Sequence, residues 1–332
     1  MKFGPLPLNA AEGTILAHSV ALSTGRLRKG VTLDAKALET LRAHDIHQVT
    51  VAQLEPGDVH EDTAAAQLAQ ALVPEPETVG LRVAPASTGR VNIYATQNGV
   101  AAVDAAKINA VNAIHPMITV ATVPEWQRMA DRGMVATVKI ISYSAPGEAL
   151  TKACQAASRA LALRPVTHTR AVLIQTSVGG NEDGSKGQRA MAMRFDRMGI
   201  ALGPKTMVPH RIEDLKSALI AAQSNHDIVC ILTGSATSDL YDVAPEAVRA
   251  AGGQVVHYGM PVDPGNLLFW GHMGEVPVIG LPGCAKSPAI NGADWVLERM
   301  LCSVPVAPQD VMQMGVGGLL KEPPSRPKPR ES

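Results

Sequence analysis

The chain has 332 residues, enough for two or three packing units and a core that needs no disulfide or metal staple. With 46% hydrophobic and 18% charged residues it is not a disordered chain, and thirty basic against thirty acidic residues exclude a chain-wide polyanion-binding surface. Aromatics make up 3%, too few for platforms that stack single-stranded nucleic acid, so no nucleic-acid partner is expected.

Residues 1–75 read as a first α+β segment. Gly13–Leu22 and Arg26–Leu33 are extended, and Asp34–His44 is a helix with Asp34 as N-cap and Leu38 and Leu41 on one face. Gln48–Leu54 alternates like a strand, and Asp62–Leu72 is an alanine-rich helix ended by Pro74-Glu75-Pro76. Residues 76–166 read as a second α+β segment. It holds a strand at Val91–Ala95 after Gly89-Arg90, a capped helix at Asp104–Ala113, a buried strand at Met134–Ser142 with Lys139 inside it, and a helix at Gly147–Leu163.

From residue 167 to 306 strand and helix signals alternate, the pattern of a three-layer α/β/α fold around a mostly parallel sheet. Ala171–Thr176 is an apolar strand followed by a glycine-rich loop. Helix Gln188–Met198 places Met191, Met193 and Met198 in the core. A strand around Thr206–Val208, a helix at Ile212–Gln223 and a strongly buried strand at Asp227–Thr233 come next. Helix Val243–Ala251 has Asp242 as N-cap and Gly252-Gly253 past its end. Strands at Val255–Tyr258 and Pro277–Leu281 lead to a last helix, expected to start at Ser287-Pro288 and to bury Ile290, Leu297 and Leu301. Residues 307–332 form a C-terminal extension whose proline-rich end, from Lys321, reads as a linker or a disordered tail.

Cys154, Cys230, Cys284 and Cys302 form no CxxC pair, which fits reduced thiols in a cytoplasmic protein. Met1–Ala10 carries no secretory signal, and no apolar run reaches bilayer-spanning length, so no membrane partner is expected.

Ligands of open parallel sheets sit beyond the carboxyl ends of the strands, and four loops fall there. In Thr176–Gly187 the glycines turn backbone amides inward, and Thr176, Ser177, Ser185 and Lys186 suit an anionic oxygen; the spacing is neither a Walker A loop nor GxGxxG, and a plain surface turn is the alternative. In Thr233–Asp242, Gly234 permits close backbone approach, Ser235, Thr237 and Ser238 offer hydroxyls, and Asp239 and Asp242 offer oxygens to magnesium, with capping by Asp242 the plainer role. Gly259–Asn266 brackets Asp263 and Asn266 with prolines and glycines. In Leu281–Ser287, Lys286 and the following helix N-terminus attract phosphate, while Cys284 has no assignable histidine and reads as a packing residue or soft contact. His210, His257 and His272 read as surface or core residues, not metal ligands.

From about Thr169 to Val306 these loops, in this order, resemble the molybdopterin-binding domain of molybdenum-cofactor biosynthesis proteins. The carriers are Gly234-Ser235-Ala236-Thr237-Ser238-Asp239 followed by Asp242-Val243-Ala244-Pro245-Glu246-Ala247, then Gly252 to Asn266 with Pro264-Gly265, then Leu281-Pro282-Gly283-Cys284-Ala285-Lys286-Ser287. Leu6-Pro7-Leu8 with Gly13-Thr14-Ile15-Leu16-Ala17 is similar to the opening of molybdopterin molybdenumtransferases. Lys29 to Leu33 and Gly57 to Asp62 resemble a subfamily in which this unit precedes a molybdenum-cofactor cytidylyltransferase domain.

The resemblance implies molybdopterin or adenylylated molybdopterin as ligand, molybdate as co-substrate, magnesium as cofactor, and a homo-oligomer. It also implies either a transferase that inserts molybdate or, alternatively, a non-catalytic partner presenting cofactor to a cytidylyltransferase or a molybdoenzyme. A generic nucleotide-binding α/β protein is the third reading. By position, Thr176, Ser177, Gly179, Gly234, Ser235, Ala236, Pro264, Gly265, Pro282, Gly283, Lys286 and Ser287 would cradle the pterin and its phosphate, with Asp239 and Asp242 as catalytic or metal-holding acids. Four positions depart from the family pattern. The acids of TGDEL are missing from Thr176-Ser177-Val178-Gly179, Pro209-His210 stands where an aspartate is expected, Ser235 replaces the second glycine of the central loop, and Cys284 replaces the asparagine of LPGNP.

Overall fold

The computed structural model describes residues 1–23, 25–179 and 182–320; the proline-rich stretch from Lys321, read above as a tail, lies outside them. The chain divides into two compact units, one of Met1–Thr96, Ala101–Glu125 and Asp131–Leu163, the other of Gln97–Val100, Trp126–Ala130 and the chain from Arg164 onward. Among the described residues no helix is long and apolar enough to cross a membrane.

The first unit is α+β with small antiparallel sheets. Lys2–Pro7 pairs with Gln48–Gln53, which also pairs with Ile15–Leu16. A four-stranded sheet runs in the order Ile118–Thr122, Met134–Ile140, Arg90–Ala95, Leu81–Val83. Helices Ala35–Arg42 and Ala105–Ile114 start where aspartate permits: Asp34 accepts from the Ala37 amide and Asp104 from the Lys107 amide. Lys139, inside its strand, reaches the Glu61 carboxylate at 3.6 Å. The expected helix to Leu163 stops at Ala157. Arg159 takes a left-handed backbone (φ 54°), and Leu161–Pro165 continues as a strand.

The second unit is the expected three-layer fold. In chain order it holds β1 (Ala171–Ser177), α1 (Ser185–Asp196), β2 (Thr206–Pro209), α2 (Ile212–Gln223), β3 (Ile228–Leu232), α3 (Val243–Ala250), β4 (Gln254–Tyr258), β5 (Phe269–Met273), β6 (Val276–Leu281), α4 (Gly292–Leu301) and α5 (Pro308–Met312). The sheet order is β2-β1-β3-β6-β5-β4. The first four strands are parallel, and β5 is antiparallel to both β6 and β4.

Alternate strand residues face two layers. Val172, Ile174, Val229 and Ile231 pack with Leu215 and Leu219 of α2 and Ala247 and Val248 of α3. Leu173, Cys230, Leu232, Ile279 and Leu281 pack on the other face with Met191 and Phe195 of α1 and Val296, Leu297 and Leu301 of α4. Met198 joins this core, whereas Met193 is on the solvent face of α1.

Strand β5 was not expected. Its Gly271 allows the backbone of β4 to approach closely, since a Cβ would run into the Gln254 carbonyl. The last helix also starts later than Ser287-Pro288. Asn291 and Asp294 form a reciprocal capping box, Gly283–Lys286 is a short 3-10 turn, and Ile290 lies exposed before the helix.

Candidate functional site

Strand register brings the loops to one rim. Gln175 of β1 pairs with Leu232 of β3, and Leu232 pairs with Leu281 of β6. The pairing of these three adjacent parallel strands therefore stops in line, which sets Thr176-Ser177, still paired to β2, beside Thr233-Gly234 and Pro282-Gly283. Strand β4 runs in the same direction as β6, so Gly259–Asn266 leaves from the same edge. The chain goes from β1 out to β2 and then back across to β3, which makes the β1/β3 junction the switch point where a crevice opens.

At that junction Thr176, buried at 3% exposure, accepts the Gly234 amide on Oγ1 at 2.9 Å and lies 2.8 Å from Nδ1 of His210. Gly234 packs so closely that a Cβ would meet the Thr176 carbonyl oxygen at 2.7 Å and the Val178 nitrogen at 3.1 Å. His210 follows β2, donates its own amide to the Ser177 carbonyl, and so belongs to the rim, at the position where the family pattern has an aspartate. Ser177, Val178, Gly179, Pro209, His210 and Arg211 line an open cleft of about 520 Å³, within the range of small-molecule sites.

The loop after β3 is organised by its acids. Asp242 caps α3 by accepting the Val243 amide at 2.7 Å on one oxygen and the Ser238 amide at 3.0 Å on the other. Burial pushes its carboxyl up, but the Ser238 and Val243 amides, the His210 charge and the Ser238 hydroxyl outweigh it and hold it below the usual aspartate range. Asp239 accepts the Tyr241 amide at 2.8 Å. Ser235 and Ala236 are exposed at the tip. The Tyr258 hydroxyl donates to the Thr237 carbonyl at 2.9 Å, fixing the loop to the end of β4. Burial, then the charges of Asp239 and Asp242, raise that phenol's pKa.

The loop after β6 hangs on a residue that the sequence did not single out. Arg194 of α1 is buried and donates to the carbonyls of Ala190, Ala285, Ser287 and Ala289, with Nε on Asp294 at 2.5 Å. The flat guanidinium satisfies these acceptors from one place, which a lysine does not match. Asn291 donates to the Cys284 sulfur at 3.0 Å, so Cys284 makes the soft contact expected of it. Gly292 donates to the Pro264 carbonyl at 2.8 Å, tying Pro264-Gly265 to the start of α4. Gly283 and Ser287 are exposed on this loop, and Lys286 reaches across to Glu182 at 3.2 Å.

Among the described residues no group of three His, Cys, Asp or Glu is placed to hold a metal, and Asp239 and Asp242 each commit carboxylate oxygens to backbone amides. Hydroxyls, glycine backbone and lysines at one rim suit a phosphorylated organic ligand.

Residues 184–301 match the family model described as "Probable molybdopterin binding domain", the resemblance expected from the loops. No curated protein matches the chain. Among solved structures, a molybdopterin biosynthesis moea protein from Pyrococcus horikosii is 14% identical, covering 91% of this chain and 75% of its own, with a TM-score of 0.33. A molybdenum cofactor biosynthesis protein B is 16% identical over 40% of this chain and 87% of its own, with a TM-score of 0.29. A molybdenum cofactor biosynthesis protein from Pyrococcus furiosus is 12% identical over 92% of this chain and 66% of its own, with a TM-score of 0.27.

Proposed function

We propose that the second unit binds molybdopterin along the carboxyl rim of its sheet and serves molybdenum-cofactor biosynthesis. The observation that supports this most is the in-line stop of the pairing among β1, β3 and β6, which sets Thr176-Ser177, Gly234-Ser235 and Pro282-Gly283 next to one another inside the matched region and its flank. Backbone amides and hydroxyls there hold phosphate oxygens and pterin edge groups, and Asp242 orients the ligand from the α3 N-terminus. The reading is tested by titrating molybdopterin into the purified chain and its Asp242→Asn variant, which keeps a capping oxygen. At least tenfold weaker binding by the variant supports the site; equal affinity removes Asp242 from it.

Two uses of that binding remain distinct by chemistry. The absence of acids from Thr176-Ser177-Val178-Gly179, where the family pattern has them, motivates presentation of the cofactor to a cytidylyltransferase or molybdoenzyme as the alternative to molybdate insertion. Incubating the chain with adenylylated molybdopterin and molybdate separates them. Release of AMP with formation of molybdenum cofactor assigns a molybdenumtransferase, and tight binding without turnover assigns presentation.

A further inference from the structure

A small enclosed cavity of about 50 Å³ lies under the loop after β1, bordered by Gln175, Thr176, Gly184, Gly187, Lys186 and Lys286. Gln175 forms part of its floor and is only 3% exposed. Its amide nitrogen donates to the Gly184 carbonyl at 2.9 Å, while its Oε1 accepts no hydrogen bond among the described residues. Gly187 brings the first turn of α1 onto this amide, since a Cβ would run into that same Oε1.

The same cavity has two ammonium groups at its border, Lys186 from α1 and Lys286 from the loop after β6. Lys286 is engaged by Glu182, a residue of the loop two strands away, at 3.2 Å. The turn that presents Glu182 is itself anchored. Asp183 receives the Ser185 amide at 2.9 Å and the Ser185 hydroxyl, and Lys205 donates to the Asp183 carbonyl and, at 3.2 Å, to Ser185. Glu182 itself is half-exposed, so its ion pair contributes little to folding and exchanges readily for a better anion.

Resting on the reading that a phosphorylated ligand docks at this rim, we propose that Glu182 is a built-in substitute for the ligand's phosphate. Lys286 is the phosphate-binding residue, and Glu182 must leave it before a phosphate monoester is seated. A phosphate carries more charge and more acceptor oxygens than a carboxylate, so it competes for the Lys286 ammonium on better terms than Glu182 does. The contact therefore selects phosphorylated over unphosphorylated pterins, because only the former displace Glu182.

The test uses the full chain and inorganic phosphate, followed by calorimetry or amide chemical shifts. Glu182→Gln is expected to bind phosphate about tenfold more tightly than the parent. Lys286→Gln is expected to weaken it at least tenfold, and the double variant to match Lys286→Gln alone. Equal phosphate affinity of the parent and Glu182→Gln, undetectable binding by both, or unchanged binding by Lys286→Gln overturns the proposal. Both side chains are solvent-accessible, and an unchanged melting temperature confirms that each variant is folded. Titrating molybdopterin into the same variants separates this proposal from the functional reading. If phosphate behaves as expected and molybdopterin binds no variant, the competition stands and the molybdopterin reading falls. If molybdopterin binds all variants alike, that reading stands and the competition falls.

Discussion

Nε of Arg194 lies 2.5 Å from Oδ1 of Asp294, joining α1 to α4 across the buried layer beneath the rim. The pair serves two structures at once. The other oxygen of Asp294 caps its own helix through the Asn291 amide, and the remaining guanidinium donors hold the loop after β6. Breaking a buried ion pair by removing one partner strands the other charge and costs about 3–5 kcal/mol. Arg194→Met is expected to lose about that much stability in urea unfolding, and Arg194→Lys to recover less than half of it. A loss under about 1 kcal/mol would show that the loop is held by other contacts.

Thr176 tests the switch point. Thr176→Val keeps the volume but removes the acceptor of the Gly234 amide and the partner of His210. An unpaired amide in such a place costs about 1–3 kcal/mol. Thr176→Ser, retaining the oxygen, is expected to stay within about 1 kcal/mol of the parent. Equal stability of the two variants in chemical denaturation would count against the hydrogen bond.

Two glycines at the rim are expected to behave oppositely. Gly234→Ala pushes a methyl against the Thr176 carbonyl and the Val178 nitrogen, both backbone, and is expected to cost about 1–3 kcal/mol and weaken ligand binding. A Cβ at Gly283 meets nothing within 4 Å, so Gly283→Ala is expected to leave the melting temperature within a degree or two. Thermal unfolding of the two variants checks the contrast.

Glu298 sets a pH dependence. Burial first, then the nearby Asp294 charge, pushes its carboxyl up to about 7, with Arg128, Arg197 and Arg194 opposing. The folded chain thus holds this proton through a range in which an unfolded glutamate, with a pKa near 4.5, has released it. Stability contributed by the protonated form is full below about 4.5 and is lost as pH rises through about 7. Glu298→Gln imitates the protonated side chain. It is expected to match the parent near pH 4.5 and exceed it by on the order of 1–3 kcal/mol at pH 8. Parallel stability curves for the two proteins would refute the assignment.

Local chemistry made much of the fold legible. Asp34, Asp104 and Asp242 each precede a helix and each caps it, and the apolar runs at Ala171 and Ile228 form the central strands. The structure departs from the local signal where a tertiary partner overrides it. Ser287-Pro288 has the form of a helix start, yet the Asn291–Asp294 box captures it four residues later because Arg194 holds the intervening carbonyls. Phe269–Met273 is a strand only because β4 and β6 flank it. At the rim, the loop residues were readable from their polarity after buried strands. Tyr258 and Arg194 carry no such signal, because each acts there through partners distant in sequence.

The shared register of Gln175, Leu232 and Leu281 bears on how this molecule can change. Adding one residue inside any of those strands would turn its downstream side chains to the opposite layer, whereas adding one beyond them alters only what overhangs the edge. Ligand preference is therefore free to drift by lengthening or swapping the overhanging segments, while the scaffold that aims them is inherited whole.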